Sequence, residues 1–242
     1  VGPVAWAHER SIPIISEIEL AYRFCRASII AVTGTNGKST VVTLIADVLK
    51  AAGRQAIACG NLGIPFCSVI PQLEEPSFAV VEVSSFQLLH CEQFHPKIGV
   101  LLNLGTNHLD RHQDGNSYLA AKVRLFQAQT ADDWMVLNGC DLRMARLSKA
   151  FAARCVWFGE NQSNGRDFYL ASQTLAVLPE NIQAVIQVSR LLGIADPLAW
   201  QVIRSFRGLE HRLESVDTIG GVHYVNDSKS TTPDSLLYAL NR

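Results

Sequence analysis

Residues 28–40 read Ser28-Ile29-Ile30-Ala31-Val32-Thr33-Gly34-Thr35-Asn36-Gly37-Lys38-Ser39-Thr40. The apolar run Ile29–Val32 predicts a buried strand. Thr33 to Gly37 predict a tight turn, and Lys38-Ser39-Thr40 open a helix with apolar positions at Val41, Leu44, Ile45 and Val48. Strand, glycine-rich turn and helix together make a phosphate cradle, because free N–H groups and the positive end of the helix dipole both favour an anion. Gly34, Thr35, Asn36 and Gly37 form its backbone, Lys38 reaches terminal phosphates, and a hydroxyl from Ser39 or Thr40 is placed to meet Mg²⁺. The usual phosphate-loop pattern has a glycine where this chain has Val32, so the motif is a shortened variant.

Outward from this stretch, strands and helices alternate. Gln55–Cys59, Phe78–Val83, Ile98–Asn103, Met135–Asn138 and Cys155–Phe158 read as strands, and Ser117–Ala128, Leu142–Ala152, Asn181–Leu192 and Pro197–Phe206 as helices. That order predicts an α/β fold, a mostly parallel sheet flanked by helices, of the P-loop ATPase type. Upstream, Ile12–Ile15 reads as a short strand, and Ser16 with Glu19 as the capping box of a helix ending near Cys25. Downstream, Glu214–Thr218 and Val222–Asn226 flank Gly220-Gly221, a hairpin signal, before a last helix.

Composition narrows the classes. With 48% apolar and 18% charged residues the chain forms a core, and a net charge of −1 gives no electrostatic footprint for nucleic acid or an anionic membrane. No apolar run approaches the roughly 18 residues of a spanning helix. The first ten residues hold no apolar signal core. The six cysteines are scattered without a C-x-x-C, which suits reduced thiols in a cytoplasmic protein better than disulfides or a zinc site.

In an open parallel sheet, ligands bind beyond the carboxyl ends of the strands. Three polar clusters follow strands in this way: the phosphate loop, Glu82-Val83-Ser84-Ser85, and Thr106-Asn107-His108. Glu82 is a candidate Mg²⁺ ligand; the plainer reading is a solvated charge at a strand end. His108 is a ligand, a substrate contact or a helix cap. Lys122 sits on a helix apolar nearly all round, where a partly desolvated ammonium loses its proton and can add CO₂ to become an anionic carbamate. The alternative is an ordinary lysine whose ammonium stays in water.

Six ordered motifs, G-T-N-G-K-S-T, E-V-S-S-F-Q-L, N-x-x-x-x-H-L-D-R-H, Y-x-x-x-K-x-R-L-F, F-x-G-L-E-H-R-L-E and V-N-D-S-K-S-T, make the chain resemble the Mur ligase family over nearly its whole length, most of all its D-glutamate-adding branch. The resemblance implies an ATP-dependent, Mg²⁺-dependent amide ligase of cytoplasmic peptidoglycan synthesis. Such a ligase phosphorylates the carboxylate of UDP-N-acetylmuramoyl-L-alanine and couples it to D-glutamate, and a monomer is expected. It further implies Lys38 on the terminal phosphates, Ser39 or Thr40 with Glu82 on Mg²⁺, and carbamylated Lys122 and His108 toward a second Mg²⁺. Asn61, Ser84 and His108 would meet the muramoyl substrate, and Asn181, Arg212, Asp227 and Lys229 the nucleotide. The implied domains are a remnant of the UDP-binding domain (1–27), the central ATP-binding domain (28–208) and the start of the amino-acid-binding domain (209–242).

The chain also departs from the family. Where members carry H-N-x-x-N before the helix at Asn181, this sequence has Glu180-Asn181-Ile182-Gln183-Ala184, which implies weaker adenine discrimination. Thr106-Asn107 replace an acidic pair before the histidine. Alternative readings of the sequence are a folylpolyglutamate synthase-like ligase, disfavoured by N-D-S-K-S-T, and a nucleotide-binding protein without ligase activity.

Overall fold

The computed structural model describes residues 2–105, 115–159, 177–230 and 233–240. Six strands form one sheet: β1 (Ser28–Thr33), β2 (Ala56–Gly60), β3 (Phe78–Glu82), β4 (Ile98–Leu101), β5 (Trp134–Asn138) and β6 (Arg154–Phe158), in the order β2-β3-β1-β4-β5-β6 with every pairing parallel. The strands are short apolar runs because both faces are covered. Alternation along β1 divides the core: Ile30 and Val32 face one layer, Ile29 and Ala31 the other.

The first layer holds α3 (Lys38–Ala51), α8 (Pro179–Leu191) and α9 (Asp196–Ser205), which pack on one another through Val41, Leu44, Ile45, Val185, Val188 and Ile203. The second holds α2 (Glu17–Phe24), α4 (Phe66–Val69), α5 (Ser85–Leu89), α6 (Gly115–Val123) and α7 (Leu142–Leu147), with Ile18, Phe66, Leu88 and Met144 buried. β7 (Glu214–Ile219) and β8 (Val222–Asn226) make a separate antiparallel pair, followed by α10 (Pro233–Leu240).

Several sequence expectations need correction. Ile12–Ile15 is not a strand; Pro13 lacks the N–H a ladder requires, and the segment links α1 (Pro3–Glu9), which the sequence reading missed, to α2. Ser16 does cap α2, accepting from Glu19 N, but Glu19 does not return the bond. The helix expected over Leu142–Ala152 stops at Leu147, and the one over Ser117–Ala128 passes at Arg124 into a 3₁₀ turn. Val32, where the usual loop has glycine, lies inside β1 between Glu82 and Val100, so the turn starts later and is shorter.

Candidate active site

The cradle forms where β1 ends. Gly37 caps α3 with φ +85°, and a Cβ there would collide with the amide of Asn181, at the start of α8. Glycine is thus required both by the left-handed backbone and by the close approach of a second helix. Asn181 is only 4% exposed and stands against the loop. The loop is also fixed from just beyond β4: Asn103 Oδ1 accepts from Thr35 N and Asn36 N, both at 2.9 Å, and its Nδ2 donates to Asn36 O at 3.0 Å. Thr35 Oγ1 meets Gly105 N at 2.8 Å and the Tyr118 hydroxyl at 3.2 Å. Asn103 was not among the residues read from sequence; the signal was there, as the first letter of the N-x-x-x-x-H run.

Lys38 folds back over this loop, donating to Gly34 O (3.1 Å) and Thr35 O (2.9 Å). Ser39 Oγ donates to Glu82 Oε2 at 2.7 Å, and Asn61 Nδ2 to Glu82 Oε1 at 3.0 Å. Ser39, rather than the buried Thr40, therefore faces the carboxylate. Asn61 follows Gly60, whose φ of +92° and contact with the Glu82 carbonyl leave no room for a side chain. Ser84 caps α5 in a full capping box with Gln87.

Lys122 is 1% exposed, which removes the solvated-lysine alternative. Its Nζ donates to Gly34 O at 2.8 Å and lies 4.5 Å from the centre of the Tyr118 ring. Burial, and then the neighbouring Lys38 cation, push its pKa down to about 6, partly offset by Glu82. Burial also lowers Lys38; Glu82 opposes that shift and Arg212 adds to it. Lys38 thus interacts with Arg212 and with Lys122, and both lysines with the single carboxylate of Glu82. Arg212 Nε is moreover buried with no hydrogen-bond partner among the described residues, and an unpaired buried donor calls for an acceptor.

Lys38, Lys122, Asn61, Ser84 and Phe86 line a cavity of about 220 Å³. A larger, more open depression of about 530 Å³ lies on the other side of Asn36 and Asn103. There Asn138 Nδ2 is spent on Leu102 O, and Arg143 on Asp141 and Leu104 O. Chemistry favours the smaller cavity. For Mg²⁺ the donor set fits: a carboxylate and a hydroxyl touch at the cradle's edge, and among the described residues no group of three or more His, Cys, Asp or Glu side chains gathers as a cage. Such a pair suits a cation that shares its shell with phosphate oxygens and water.

The structure brings together Gly34 to Ser39, Asn61, Glu82, Ser84, Lys122, Asn181 and Arg212. Asp227 is spent locally, its Oδ1 accepting from Leu213 N at 3.0 Å, and Lys229 is exposed on the following turn, its N–H on His211 O. His108, with Thr106-Asn107, lies outside the described residues. Ala184, at the altered motif position, is fully buried in the apolar core.

Among known proteins, residues 32–193 match the Mur ligase middle domain, well over half of the chain. The chain belongs to the Mur ligase family. Mur ligases named UDP-N-acetylmuramoylalanine–D-glutamate ligase are similar to it in sequence. That of Desulfosudis oleivorans is 40% identical over 261 residues, covering 99% of this chain and 57% of the relative. That of Pelotomaculum thermopropionicum is 38% identical over 262 residues, with the same coverage. The chain thus spans little more than half the length of these relatives. In fold it is similar to MurF from Acinetobacter baumannii (TM-score 0.74, 16% identity, 93% of this chain and 56% of that one). MurF ligase from Thermotoga maritima, solved in complex with ADP, gives 0.72 at 16% identity, covering 93% and 59%. No helix among the described residues is long and apolar enough to cross a membrane.

Proposed function

We propose that this chain is the ATP-binding core of a cytoplasmic, monomeric ligase that joins D-glutamate to UDP-N-acetylmuramoyl-L-alanine in peptidoglycan synthesis. The observation that carries it is the convergence of Lys38, Ser39, Glu82 and Lys122 on one cradle edge, in a chain 40% identical to a relative of that name. In the reaction, a muramoyl carboxylate oxygen attacks the γ-phosphorus of ATP and ADP leaves. The D-glutamate amine then attacks the acyl phosphate, and inorganic phosphate leaves as the amide forms.

Phosphoryl transfer needs positioning and charge neutralisation more than covalent help. Lys38 exchanges its two carbonyl partners for terminal phosphate oxygens, and Asn103 keeps the loop shaped for them. Ser39 and Glu82 would hold Mg²⁺, which neutralises phosphate charge. Arg212 Nε gains its acceptor from the nucleotide, with Asn181, Asp227 and Lys229 around it. Asn61 and Ser84 face the muramoyl carboxylate in the cavity.

Lys122, neutral at pH 7 with a pKa of about 6, can add CO₂: an N–C bond forms, one proton leaves, and a cation source becomes a carboxylate-like group. As a carbamate it would join His108 toward a second Mg²⁺. The domain division at 27/28 and 208/209 fits a hairpin whose pair of strands is separate from the main sheet. α2, however, packs through Ile18 and Ala21 into the central core. The test is phosphate release by the full-length polypeptide given ATP, Mg²⁺, the muramoyl nucleotide and D-glutamate. Turnover that needs all four is expected; turnover with L-glutamate or folate substrates instead would overturn the assignment.

A further inference from the structure

The wall of the cavity that carries Ser84 and Phe86 is α5, a helix of only five residues. So short a helix does not hold its own position; outside contacts must. Its far end runs into Leu88–Phe94, and two buried or half-buried charges grip that segment. Glu19, on α2, is 0% exposed, and its carboxylate accepts from the N–H groups of Glu92, Gln93 and Phe94 (2.9–3.2 Å) and from the Arg23 guanidinium. Arg124 follows α6 two residues after Lys122. It donates from Nε to Leu88 O at 2.9 Å and from Nη2 to Cys91 O at 2.7 Å. Ser16 adds its N–H to His90 O at 2.9 Å. Amides are thus taken by one charge and carbonyls by the other.

We propose that Glu19 and Arg124 are positioning residues for the cavity: gripping Leu88–Phe94 from α2 and from the turn after α6, they fix α5 and so the distance between the Ser84–Phe86 wall and the Lys122 wall. The consequence for substrate use rests on the reading of this cavity as the muramoyl carboxylate's site; the mechanical claim does not. Arg124 suits the task because its fork spans two carbonyls, which a lysine ammonium cannot do with the same geometry. Glu19 suits it because only an acceptor at both oxygens satisfies three successive amides together with a guanidinium.

Two measurements test this. In amide hydrogen exchange on this chain, Glu19→Gln and Arg124→Lys should each speed exchange over residues 84–94 by about tenfold or more, leaving β1 and α3 within about twofold. No change over 84–94, or an equal rise in β1 and α3, overturns the proposal, since the second result is global loosening. In the full-length enzyme, Arg124→Lys should raise KM for the muramoyl nucleotide by about tenfold while KM for ATP stays within about twofold. Both constants moving together, or neither, overturns it as well. If the unaltered enzyme does not turn over these substrates at all, the functional reading fails, and exchange alone decides the positioning claim.

Discussion

Two halves of the candidate site are built in opposite ways. The sheet half (Lys38, Ser39, Glu82, Asn61, Lys122) is set on the start of α3, the ends of β2 and β3, and α6, with Glu82 2% and Lys122 1% exposed. The hairpin half (Arg212, Asp227, Lys229) hangs on β7–β8, where Val216, Ile219, Val222, Tyr224 and Val225 are all exposed. Arg212 itself sits between His211 (φ +64°) and Leu213 (φ +47°), both left-handed without being glycine. That costs about 1–3 kcal/mol each and is held by local bonds from Asp227, Glu214 and Asn226. The contrast is that the sheet half lies where burial can shift a pKa, while the half proposed for the nucleotide lies on a hairpin whose apolar residues are exposed.

The largest effect that would test this contrast is at Lys122. Lys122→Ala should lower full-length activity by about 10²–10³-fold, as for loss of one preorganised charge, with partial return on adding a small carboxylic acid. An active variant would mean the buried lysine is only structural. The same residue sets a pH dependence in CO₂-depleted buffer. Its folded pKa of about 6 lies far below the roughly 10.4 of an unfolded lysine, so between those values the unfolded chain binds the extra proton. Stability from this site therefore rises with pH across that window and is lowest below pH 6. Lys122→Met should be more stable than the parent at pH 6 in chemical denaturation, with the advantage shrinking toward pH 10. An advantage constant with pH would refute the depressed pKa.

Next comes nucleotide affinity. Lys38→Ala should weaken binding of a fluorescent ATP analogue by about a hundredfold, since charge-assisted bonds are worth about 1.5–3 kcal/mol each. Arg212→Ala, on the exposed half, should weaken it by about tenfold and more so at low salt. Equal losses at the two positions would erase the distinction between the halves.

Much of the sheet half was legible from sequence because it is written in local pattern: an apolar strand, a glycine turn and a helix start leave few alternatives for residues 28–51. Burial of Lys122 was legible in the apolar residues around it, although a helix amphipathic in no clear direction left its outward placement open. What was not legible depends on distant partners. Asn103 acts on a loop 67 residues away, and Glu19 looked like half a capping box until the amides of 92–94 took its carboxylate. Ala184 matched a motif position by spacing, but its burial in the core was decided by tertiary packing that the local pattern does not show. An asparagine there would bury an amide in an apolar core.

The smallest expected effect separates the halves by stability alone. Val80 in β3 is fully buried between the two helical layers, and Val80→Ala should cost about 2 kcal/mol or more, the lost transfer energy plus a cavity that close packing cannot refill. Tyr224 in β8 is 49% exposed, and removing it leaves neither a cavity nor an unpaired buried group. Tyr224→Thr exchanges an aromatic for a β-branched residue, two types that both favour strands, so the backbone preference is retained. The change should fall within about 0.5 kcal/mol in urea titration of this chain. A loss comparable to Val80→Ala would show that the hairpin is packed in solution. The two halves would then be packed alike, and the contrast drawn between them would be lost.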